Sequence, residues 1–568
     1  MILRELLIHL PRAVASGNLD HVATSVTADS RQVKPGSVFV AIKGTDSDGH
    51  KFIKAAVEKG AVAIVATTAP DENCSERVTW IHSSDTRDAL GRVASALNND
   101  PSAQLKVAGI TGTNGKTTTA FLLHHIMQSA WTRAGMLGTI KNNDGVNERP
   151  AKLTTASADV IQRQLAKMVD NGCRGVAMEV SSHGIDQQRV DAVKFDVAVF
   201  TNLSQDHLDY HNSMDAYYAA KKALFESLQY QDGNKKPIAV INHDDRYGEK
   251  MVKELAEKIN IVTYGQGAHC DFKATKIVQQ VRGTEFQLDN RGKSYLVRIP
   301  LIGRFNVYNC LAAIAAAAAM GIKTRDAVKA LAEVPQVPGR LELVGSKGGI
   351  SVFVDYAHTP DALKNACATL NDFSPRRLIT VFGCGGDRDQ SKRPLMGTAA
   401  SEASDACVIT SDNPRSEDPA TIIKHIEAGM KTKSFQSVVD REEAIVGAIN
   451  AAEQGDIVLI AGKGHETYQQ LADKMIQFDD RKVAAYALRD TFVETEQKLM
   501  ERFSGGKSDD KQRNFTRKDN DGYEKREFNN DKREFDDRRP KKGSEDRKNG
   551  RYSDPTGGND YKPKRSED

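Results

Sequence analysis

Cysteine is scarce in this sequence, with seven residues in 568 and no two of them spaced as a CxxC pair. An odd, scattered set argues against a disulfide framework and against a zinc site. The cysteines are Cys74, Cys173, Cys270, Cys310, Cys367, Cys384 and Cys407. The pattern therefore predicts reduced thiols and a cytoplasmic setting.

Long hydrophobic runs are also missing. The most apolar stretch, CLAAIAAAAAMGI at residues 310–322, is too short to span a bilayer and predicts a buried helix. The opening MILRELLIHLPRAV lacks the apolar segment and the small-residue cleavage site of a signal peptide, so it predicts a short amphipathic helix. We therefore expect a soluble cytoplasmic protein with no membrane partner.

Neither sign of charge dominates, since 79 Lys and Arg residues face 76 Asp and Glu residues, which gives a formal net charge of +3. This balance gives no global reason to expect nucleic acid or a membrane surface as partner. A chain of 568 residues is too long for one hydrophobic core and predicts about three or four domains.

Alternating strand-like and helix-like segments predict an α/β fold of three domains. Residues 1–102 form a small α/β domain. Residues 103–336 begin with a strand, a glycine-rich loop and a helix, and their later buried-type strands predict a mostly parallel sheet, as in an ATPase of the phosphate-loop type. Residues 337–500 alternate regularly and resemble a doubly wound, Rossmann-like sheet, whose ligands bind at the carboxyl ends of the strands.

The composition changes completely in the predicted tail, residues 501–568. Dense mixed charge with almost no aliphatic residue cannot offset the entropy of ordering, so the tail is predicted to be disordered. Its aromatic residues recur among arginines, a pattern that favours stacking on single-stranded RNA, although the acids nearly match the bases. They are Phe515, Tyr523, Phe528, Phe535 and Tyr552. A solvated tail and a weak contact with RNA or a protein both remain open.

The stretch ITGTNGKTTTA, residues 110–120, has the residue types of a phosphate loop. Its glycines let backbone amides curl around a polyphosphate at a helix N-terminus, Lys116 adds a positive charge, and Thr117 offers a hydroxyl to Mg²⁺. The spacing differs from GxxxxGK[ST] because Ile110 stands where the first glycine would be. The predicted nucleotide-binding residues are Gly112, Thr113, Asn114, Gly115, Lys116, Thr117 and Thr118.

Charged residues follow two later strands. Glu179 ends the strand GVAMEV and could serve as a ligand of Mg²⁺. The segment after FDVAVFTN carries Asp206, His207, Asp209 and His211, and a helix with Lys221 and Lys222 comes next. These residues lie at strand ends, on the same side of the sheet as the phosphate loop, which predicts an active-site cleft there. Lys222 is interpreted as a surface residue.

Together with later motifs, these stretches resemble the Mur ligases of bacterial cell-wall synthesis, over about residues 1 to 500. The motifs are GTNGKTT, MEVSSHG, DHLDYH, the Lys221 helix, DSRQVKPGSVFVAIKG, GRFNVYNCLAA, DYAHTPDAL, GCGGDRD, SDNPR and GKGHE. The resemblance implies an ATP-dependent ligase that joins meso-2,6-diaminopimelate to UDP-N-acetylmuramoyl-L-alanyl-D-glutamate through an acyl phosphate. Such an enzyme serves peptidoglycan synthesis, and through it cell shape, cell division and the cell cycle. We expect a monomer.

The resemblance also implies residue roles. The catalytic residues would be Lys116, Glu179, His207, Lys221 and Arg340. Mg²⁺ ions would be held by Thr117, Glu179, His207 and Lys221, the last as the N6-carboxylysine formed with CO₂. Residues 103–336 would bind ATP, and the nucleoside would contact Asn306, Arg340 and Asp355. Asn306 has an alternative interpretation as a helix cap.

The resemblance places the UDP-sugar in residues 1–102. Its contacts would be Ser30, Thr45, Asp46 and Ser47, and the muramoyl peptide would contact Thr154, Thr155, Ser181, Gln187 and Arg189. Turn capping is an equally good interpretation of residues 45–47.

The amino acid would bind in residues 337–500. A planar cation can grip the second carboxylate of diaminopimelate bidentately, and Arg415 supplies one. The diaminopimelate contacts would be Arg388, Asp412, Asn413, Pro414, Arg415, Gly462 and Glu466. The alternative interpretation of Arg415 is a surface ion pair with Glu417 or Asp418. The alternatives for the whole chain are a ligase that adds L-lysine or another amine, a motor ATPase, and a ligase-derived scaffold.

Overall fold

The computed structural model describes residues 1–44, 47–70, 77–231 and 235–489. All of them lie in the first of the two units of the chain, Met1–Phe503. The predictions made for Thr45, Asp46 and the tail fall outside the described residues, as does the side chain of Asp209.

The first domain is built on a five-stranded sheet in the order β1-β5-β4-β3-β2. Strands β3 and β4 are buried along their whole length because helices cover the sheet, and only β1 runs antiparallel to its neighbour. The strands are β1 (Val14–Ser16), β2 (Ser25–Thr27), β3 (Ser37–Val40), β4 (Ala63–Ala66) and β5 (Thr79–His82). The helices are α1 (Leu3–Leu6), α2 (Ile53–Glu58), α3 (Thr86–Leu97) and α4 (Pro101–Gln104).

The central domain has an eleven-stranded sheet in the order β16-β15-β14-β13-β12-β11-β6-β10-β7-β8-β9. The strands are β6 (Lys106–Thr111), β7 (Gly135–Leu137), β8 (Lys141–Asn143), β9 (Glu148–Pro150), β10 (Gly175–Glu179), β11 (Val197–Phe200), β12 (Ile238–Asn242), β13 (Asn260–Gly265), β14 (Phe272–Gln280), β15 (Gly283–Asn290) and β16 (Lys293–Ile299). The sheet is parallel from β7 to β14, and antiparallel strands extend both edges. Strand β6 lies between β10 and β11, so the loops after these three strands meet at one edge.

Apolar residues cover both faces of this central sheet. The helices are α5 (Lys116–Trp131), α6 (Ala158–Asp170), α7 (Ser182–Asp186), α8 (Leu208–His211), α9 (Met214–Ser227), α10 (Arg246–Leu255), α11 (Arg304–Ala319) and α12 (Thr324–Leu331). The alanine-rich run becomes the buried part of α11, as the sequence predicts. Among the described residues, no helix combines the length and the apolar content that crossing a membrane requires.

The third domain contains a six-stranded sheet in the order β17-β18-β22-β19-β20-β21. All its pairs are parallel except β17 with β18, and the order places loops from separate parts of the chain side by side. The strands are β17 (Glu342–Lys347), β18 (Ile350–Asp355), β19 (Leu378–Phe382), β20 (Ala406–Ile409), β21 (Phe435–Ser437) and β22 (Ile457–Ala461). The helices are α13 (Pro360–Asn371), α14 (Lys392–Ala403), α15 (Pro419–Glu427) and α16 (Arg441–Asn450).

A separate two-stranded hairpin follows, made of β23 (Tyr468–Leu471) and β24 (Lys474–Gln477). The described chain ends in a helix over residues 480–489. The predicted α/β architecture of three domains is confirmed, with a mostly parallel central sheet and a doubly wound third domain.

Candidate active site

The glycine-rich loop joins the end of β6 to the start of α5, as the sequence predicts. Gly112 and Gly115 have φ angles of +147° and +84°, and a Cβ at either position would collide with a neighbouring side chain. Two loop amides are already engaged, since Thr113 N donates to the carbonyl of Asn202 and Asn114 N to its side chain. The amides nearest the start of α5 are therefore the ones placed for an anion.

Two lysines converge on this loop. The ammonium groups of Lys116 and Lys221 each donate to the Gly112 carbonyl oxygen at 2.9 Å, and Lys116 also donates to that of Thr113 at 2.8 Å. Only 1% of Lys221 is exposed, and its Nζ lies 4.4 Å from the centre of the Tyr217 ring. Burial lowers the pKa of both lysines, that of Lys221 well below its ordinary value. Burial therefore makes the loss of a proton from Lys221 easier than from an exposed lysine.

Lys222 differs from its neighbour. Its ammonium forms ion pairs with Glu226 at 3.2 Å and with Glu254 at 3.0 Å on the surface of α9 and α10. These contacts agree with its interpretation as a surface residue.

Glu179 and Thr117 come together although they are 62 residues apart. The Thr117 hydroxyl donates to Glu179 at 2.8 Å, and Thr139 donates to the same carboxylate from its backbone at 2.7 Å and from its hydroxyl at 3.0 Å. Sequence reasoning missed Thr139, whose only signal was its place just after β7. Hydroxyl and carboxylate oxygens are ligands that Mg²⁺ prefers, so this pair fits a Mg²⁺ ion.

His207 lies in the segment after β11 in a left-handed conformation, with φ at +52°, and its ring centre is 6.2 Å from that of Tyr217. Its Nε2 is 3.5 Å from the Asp206 carboxylate, and its ring centre is 5.0 Å from that of His183. The described residues contain no group of three or more His, Cys, Asp or Glu side chains close enough to hold a metal by themselves. Mg²⁺ is commonly held by one or two carboxylates with phosphates and water, which is the kind of site that these residues offer.

The predicted nucleoside residues lie on both sides of the junction between the second and third domains. Asn306 donates to the Ile302 carbonyl at 2.7 Å and accepts from Asn309 at 2.9 Å, so its side chain is held within the start of α11. Asp355 accepts from the amides of Leu341 at 2.7 Å and Ala357 at 2.8 Å, and burial raises its pKa.

Arg340 faces the same junction. Its guanidinium lies 5.1 Å from the centre of the Tyr356 ring and is close enough to Lys116 to contribute to the lowered pKa of that lysine. Its Nε is buried and has no hydrogen-bond partner among the residues that the structure describes. A buried donor in this state is suited to an anionic ligand such as a phosphoryl group.

A cavity of about 810 Å³ lies between the first and central domains. Gln187 and Arg189, two predicted contacts of the muramoyl peptide, line it, and Arg87, Lys152 and Arg163 make its wall basic. Sequence reasoning missed these three cations because isolated basic residues carry no motif. A basic wall suits a diphosphate.

The other predicted peptide contacts form a network beside Glu179. The Thr155 hydroxyl donates to the Glu179 carbonyl at 3.0 Å and accepts from the Ser181 amide at 3.0 Å, and Arg189 donates to the Thr155 carbonyl at 2.7 Å. Thr154 reaches the same centre through the Thr139 hydroxyl, at 3.1 Å. Two predicted contacts of the UDP-sugar in the first domain are described by the structure, Ser30 and Ser47, and neither of them lines the cavity.

Three loops meet at the carboxyl edge of the third sheet, after β19, β20 and β22. Asn413 donates to Glu466 at 2.8 Å, and the buried Lys463 donates to both of them at 3.0 Å. Sequence reasoning missed Lys463, although it lies between the predicted contacts Gly462 and Glu466. Both donors contact the same oxygen of Glu466, Oε2, and within the described ranges no hydrogen bond to its other oxygen is seen.

The same edge carries Arg415, whose Nη1 donates to the Gly386 carbonyl at 2.7 Å. The alternative ion pairs are not formed within the described part of the chain, because Glu417 accepts from Arg393 at 2.8 Å and Asp418 caps α15. Arg388 is exposed nearby.

The remaining predicted contacts adjoin this edge. A Cβ at Gly462 would lie 2.6 Å from the Asp412 carboxylate, and a Cβ at Gly386 would collide with the Pro414 carbonyl. All seven predicted diaminopimelate contacts thus lie in or beside these three loops.

Comparison with known proteins decides the family. The model of the Mur ligase middle domain matches residues 110–317, that of the Mur ligase glutamate ligase domain matches 339–464, and that of the Mur ligase family catalytic domain matches 22–97. A UDP-N-acetylmuramoyl-L-alanyl-D-glutamate–2,6-diaminopimelate ligase of Geobacillus thermodenitrificans is 45% identical over 495 residues, which are 86% of this chain and all of that protein. The chain belongs to the Mur ligase family.

Other Mur ligases give the same result. The protein of that name from Syntrophomonas wolfei is 44% identical over 492 residues, 86% of this chain and 99% of its own. A solved structure of a UDP-N-acetylmuramoyl-L-alanyl-D-glutamate–2,6-diaminopimelate ligase is 32% identical, with a TM-score of 0.65, over 87% of this chain and 99% of that one. MurF from Acinetobacter baumannii is 21% identical, with a TM-score of 0.58, over 87% of this chain and 98% of its own, and supports the fold.

Proposed function

We propose that this Mur ligase adds meso-2,6-diaminopimelate to UDP-N-acetylmuramoyl-L-alanyl-D-glutamate at the expense of ATP, giving the UDP-muramoyl-tripeptide of peptidoglycan synthesis. The observation that carries the proposal is the third-domain edge, where Arg415 lies beside Asn413 and Glu466. A guanidinium can grip one end of a zwitterion while oxygen atoms receive its ammonium group. Relatives named for this reaction, at 44–45% identity, support it.

The proposed reaction has two steps: a carboxylate first reacts with ATP, and an amine then reacts with the product of that step. The side-chain carboxylate of the D-glutamyl residue attacks the γ-phosphorus of ATP, the bond from that phosphorus to the β-phosphate oxygen breaks, and ADP leaves as the acyl phosphate forms. The amine of diaminopimelate then attacks the acyl carbon, and inorganic phosphate leaves with the loss of a proton. Lys116 and Arg340 are placed to neutralise the phosphoryl group, as charge stabilisation requires.

Mg²⁺ would be held by Thr117, Glu179, His207 and a carbamate on Lys221. When bound, the ion neutralises charge on the phosphate oxygens. The depressed pKa of Lys221 supports the modification, since a neutral amine can attack CO₂ and release a proton to give the carbamate anion. Such an anion would replace the donor that now faces Gly112 by an oxygen ligand.

Substrate contacts are proposed as the sequence predicted them. ATP is bound by residues 112–118 with Asn306, Arg340 and Asp355. The UDP-muramoyl peptide occupies the 810 Å³ cavity, and we add Arg87, Lys152 and Arg163 as contacts of its diphosphate. The proposed contacts of diaminopimelate are Arg388, Asp412, Asn413, Pro414, Arg415, Gly462 and Glu466.

We further propose domain boundaries at 1–102, 103–336 and 337–500, with the tail at 501–568. The enzyme is proposed to act as a monomer in the cytoplasm, and to affect cell shape, cell division and the cell cycle through the peptidoglycan that it helps to make.

Release of phosphate tests the proposal directly. Full-length protein with ATP and Mg²⁺ is expected to release phosphate only when both the UDP-muramoyl dipeptide and diaminopimelate are present. Turnover with L-lysine in place of diaminopimelate would favour a lysine-adding ligase. Release without the acceptors would favour a motor ATPase, and no release under any condition would favour a scaffold.

Removal of the tail is expected to leave this activity intact. The curated relatives are matched over their whole length by about 86% of this chain, so the reaction needs no counterpart of the remainder. A chain ending at Phe503 should match the full-length protein in kcat and in the KM for each substrate. A loss of turnover in the shortened chain, with its melting temperature unchanged, would make the tail part of the catalytic machinery.

A further inference from the structure

The hairpin β23–β24 lies against the loop that carries Arg415. Its two strands pair with each other from Tyr468 opposite Gln477 to Leu471 opposite Lys474, and Phe478 N closes its base by donating to the Thr467 carbonyl at 3.1 Å. They form a sheet of two strands, separate from the six-stranded sheet of the domain. The hairpin therefore does not extend the large sheet, and its backbone bonds to the Arg415 loop are contacts outside that sheet.

The backbone of the hairpin holds the backbone of Arg415. The Arg415 amide donates to the Gln470 carbonyl at 3.1 Å, and the Ala472 amide donates to the Arg415 carbonyl at 2.6 Å. Arg415 has a φ of +51°, a left-handed conformation that a residue other than glycine keeps only where its surroundings fix it. Two bonds from the hairpin supply that constraint.

The hairpin also holds the two residues that precede Pro414. Gln469 is 6% exposed, and its Nε2 donates to the Asp412 carbonyl at 2.7 Å. The amide of Gln470 donates to the Asn413 side-chain oxygen at 2.9 Å. Residues 469–472 of the hairpin thus hold Asp412, Asn413 and Arg415 together.

A second support of the same loop comes from residues 383–389, which follow β19. Ser416 donates its hydroxyl to Asp387 at 2.6 Å, and the amide of Asp387 donates to Glu417 at 2.6 Å. The Arg415 side chain, which donates to the Gly386 carbonyl, is thereby aligned with residues 383–389. The 383–389 segment also holds the backbone, since the Gly386 amide donates to the Asn413 carbonyl at 2.9 Å. The hairpin adds the bonds to the backbone of Asp412 and Arg415.

We propose that the hairpin β23–β24 is a specificity element, and that Gln469 is a positioning residue that sets the loop of Arg415 for the distal carboxylate and ammonium of the amino-acid substrate. This inference rests on the proposed function. Gln469 acts through the Asp412 carbonyl and touches no substrate. Its loss lets the loop shift, which weakens binding of a substrate with two charged ends more than it affects the phosphoryl chemistry at Lys116.

The chain provides a matched control in the next residue. Gln470 contacts the loop through its backbone N–H and carbonyl, which a substitution keeps, whereas Gln469 uses its side chain. Gln469→Leu removes the donor at nearly constant volume, and Gln470→Leu makes the same chemical change one position along. The variants are compared as full-length proteins in the phosphate-release assay.

Gln469→Leu is expected to raise the KM for diaminopimelate about tenfold, since a buried hydrogen bond is lost. The KM values for ATP and the UDP-muramoyl dipeptide should stay within about twofold, as should kcat at saturating diaminopimelate, because the ATP and peptide sites lie in other loops. Gln470→Leu should match the wild type in every parameter. Should Gln469→Leu fail to fold, Gln469→Asn keeps a polar side chain but shortens it, and should raise the same KM.

An equal effect of both leucine variants on the KM for diaminopimelate would overturn the inference. So would a rise in all three KM values together, since a general structural defect predicts that result. If the wild type turns over diaminopimelate and Gln469→Leu has the same KM for diaminopimelate, the positioning role is refuted. The proposed function is then unaffected. A wild type that does not use diaminopimelate refutes the proposed function itself.

Discussion

Replacement of Lys221 by glutamine is expected to lower kcat about 10²–10³-fold, the cost of losing one group that stabilises transition-state charge. Glutamine keeps a neutral donor that can face the Gly112 carbonyl, which Lys221 contacts at 2.9 Å, but it cannot react with CO₂. The loss would therefore report the missing carbamate anion. Phosphate release at saturating substrates measures it, and the melting temperature shows whether the fold is kept.

Lys222 gives the matched control for this experiment. It adjoins Lys221 in α9, yet its ion pairs with Glu226 and Glu254 are surface contacts, and such pairs are worth about 0–1 kcal/mol. Lys222→Gln should keep kcat within about twofold of the wild type. Addition of acetate to Lys221→Ala tests the anion itself, since a small carboxylate can enter the space vacated by the side chain and restore part of kcat. Full activity of Lys221→Gln would exclude the carbamate as a metal ligand.

The parts of the site that the sequence predicted are those built within one loop or at the end of one strand. The phosphate loop is one continuous stretch of the chain, so its glycines and Lys116 are enough to predict a strand, a loop and a helix in that order. Glu179 ends β10 and Arg415 lies in the loop after β20, and parallel strands bring their carboxyl ends to one edge. The meeting of Thr117 with Glu179, 62 residues apart, follows from that rule.

The parts that sequence reasoning missed depend on contacts between distant segments without a pattern of their own. Asn202 takes up the Asn114 amide of the phosphate loop from 88 residues away, and Asn309 reaches Thr119 across 190 residues. A single asparagine has no periodicity that would mark such a contact. Thr139 likewise supports Glu179 from the loop after β7, the strand that pairs with β10 on the side away from β6.

The hairpin shows a further reason for what was missed. Tyr468–Gln477 alternates too briefly to distinguish a strand that pairs with a large sheet from one that pairs only with its neighbour. Its value to the site comes from the Arg415 backbone, whose left-handed φ is invisible in the sequence. Backbone strain and its support are properties of the folded chain, so only the structure could connect residue 415 with residues 468–477.

Replacement of Arg415 by alanine is expected to lower kcat/KM for diaminopimelate about 10⁴-fold, because a site built to bind a polar group loses that much when the partner is missing. The KM for ATP should hardly change, since the phosphate loop and Arg340 belong to other segments. Arg415→Lys should recover part of the loss, as it restores the charge without the planar fork that binds a carboxylate bidentately. Kinetics with diaminopimelate and L-lysine measure both effects.

Comparing diaminopimelate with L-lysine as substrates distinguishes a loss of substrate recognition in Arg415→Ala from a folding defect of that variant. L-lysine lacks the second carboxylate, so any residual turnover with lysine should be nearly the same in Arg415→Ala and in the wild type, while the preference for diaminopimelate collapses. Arg298→Ala is a suitable control, because Arg298 forms an exposed pair with Glu285 far along the chain from the third domain. A variant at residue 415 that kept its preference for diaminopimelate would mean that another cation, with exposed Arg388 the first to test, grips the second carboxylate.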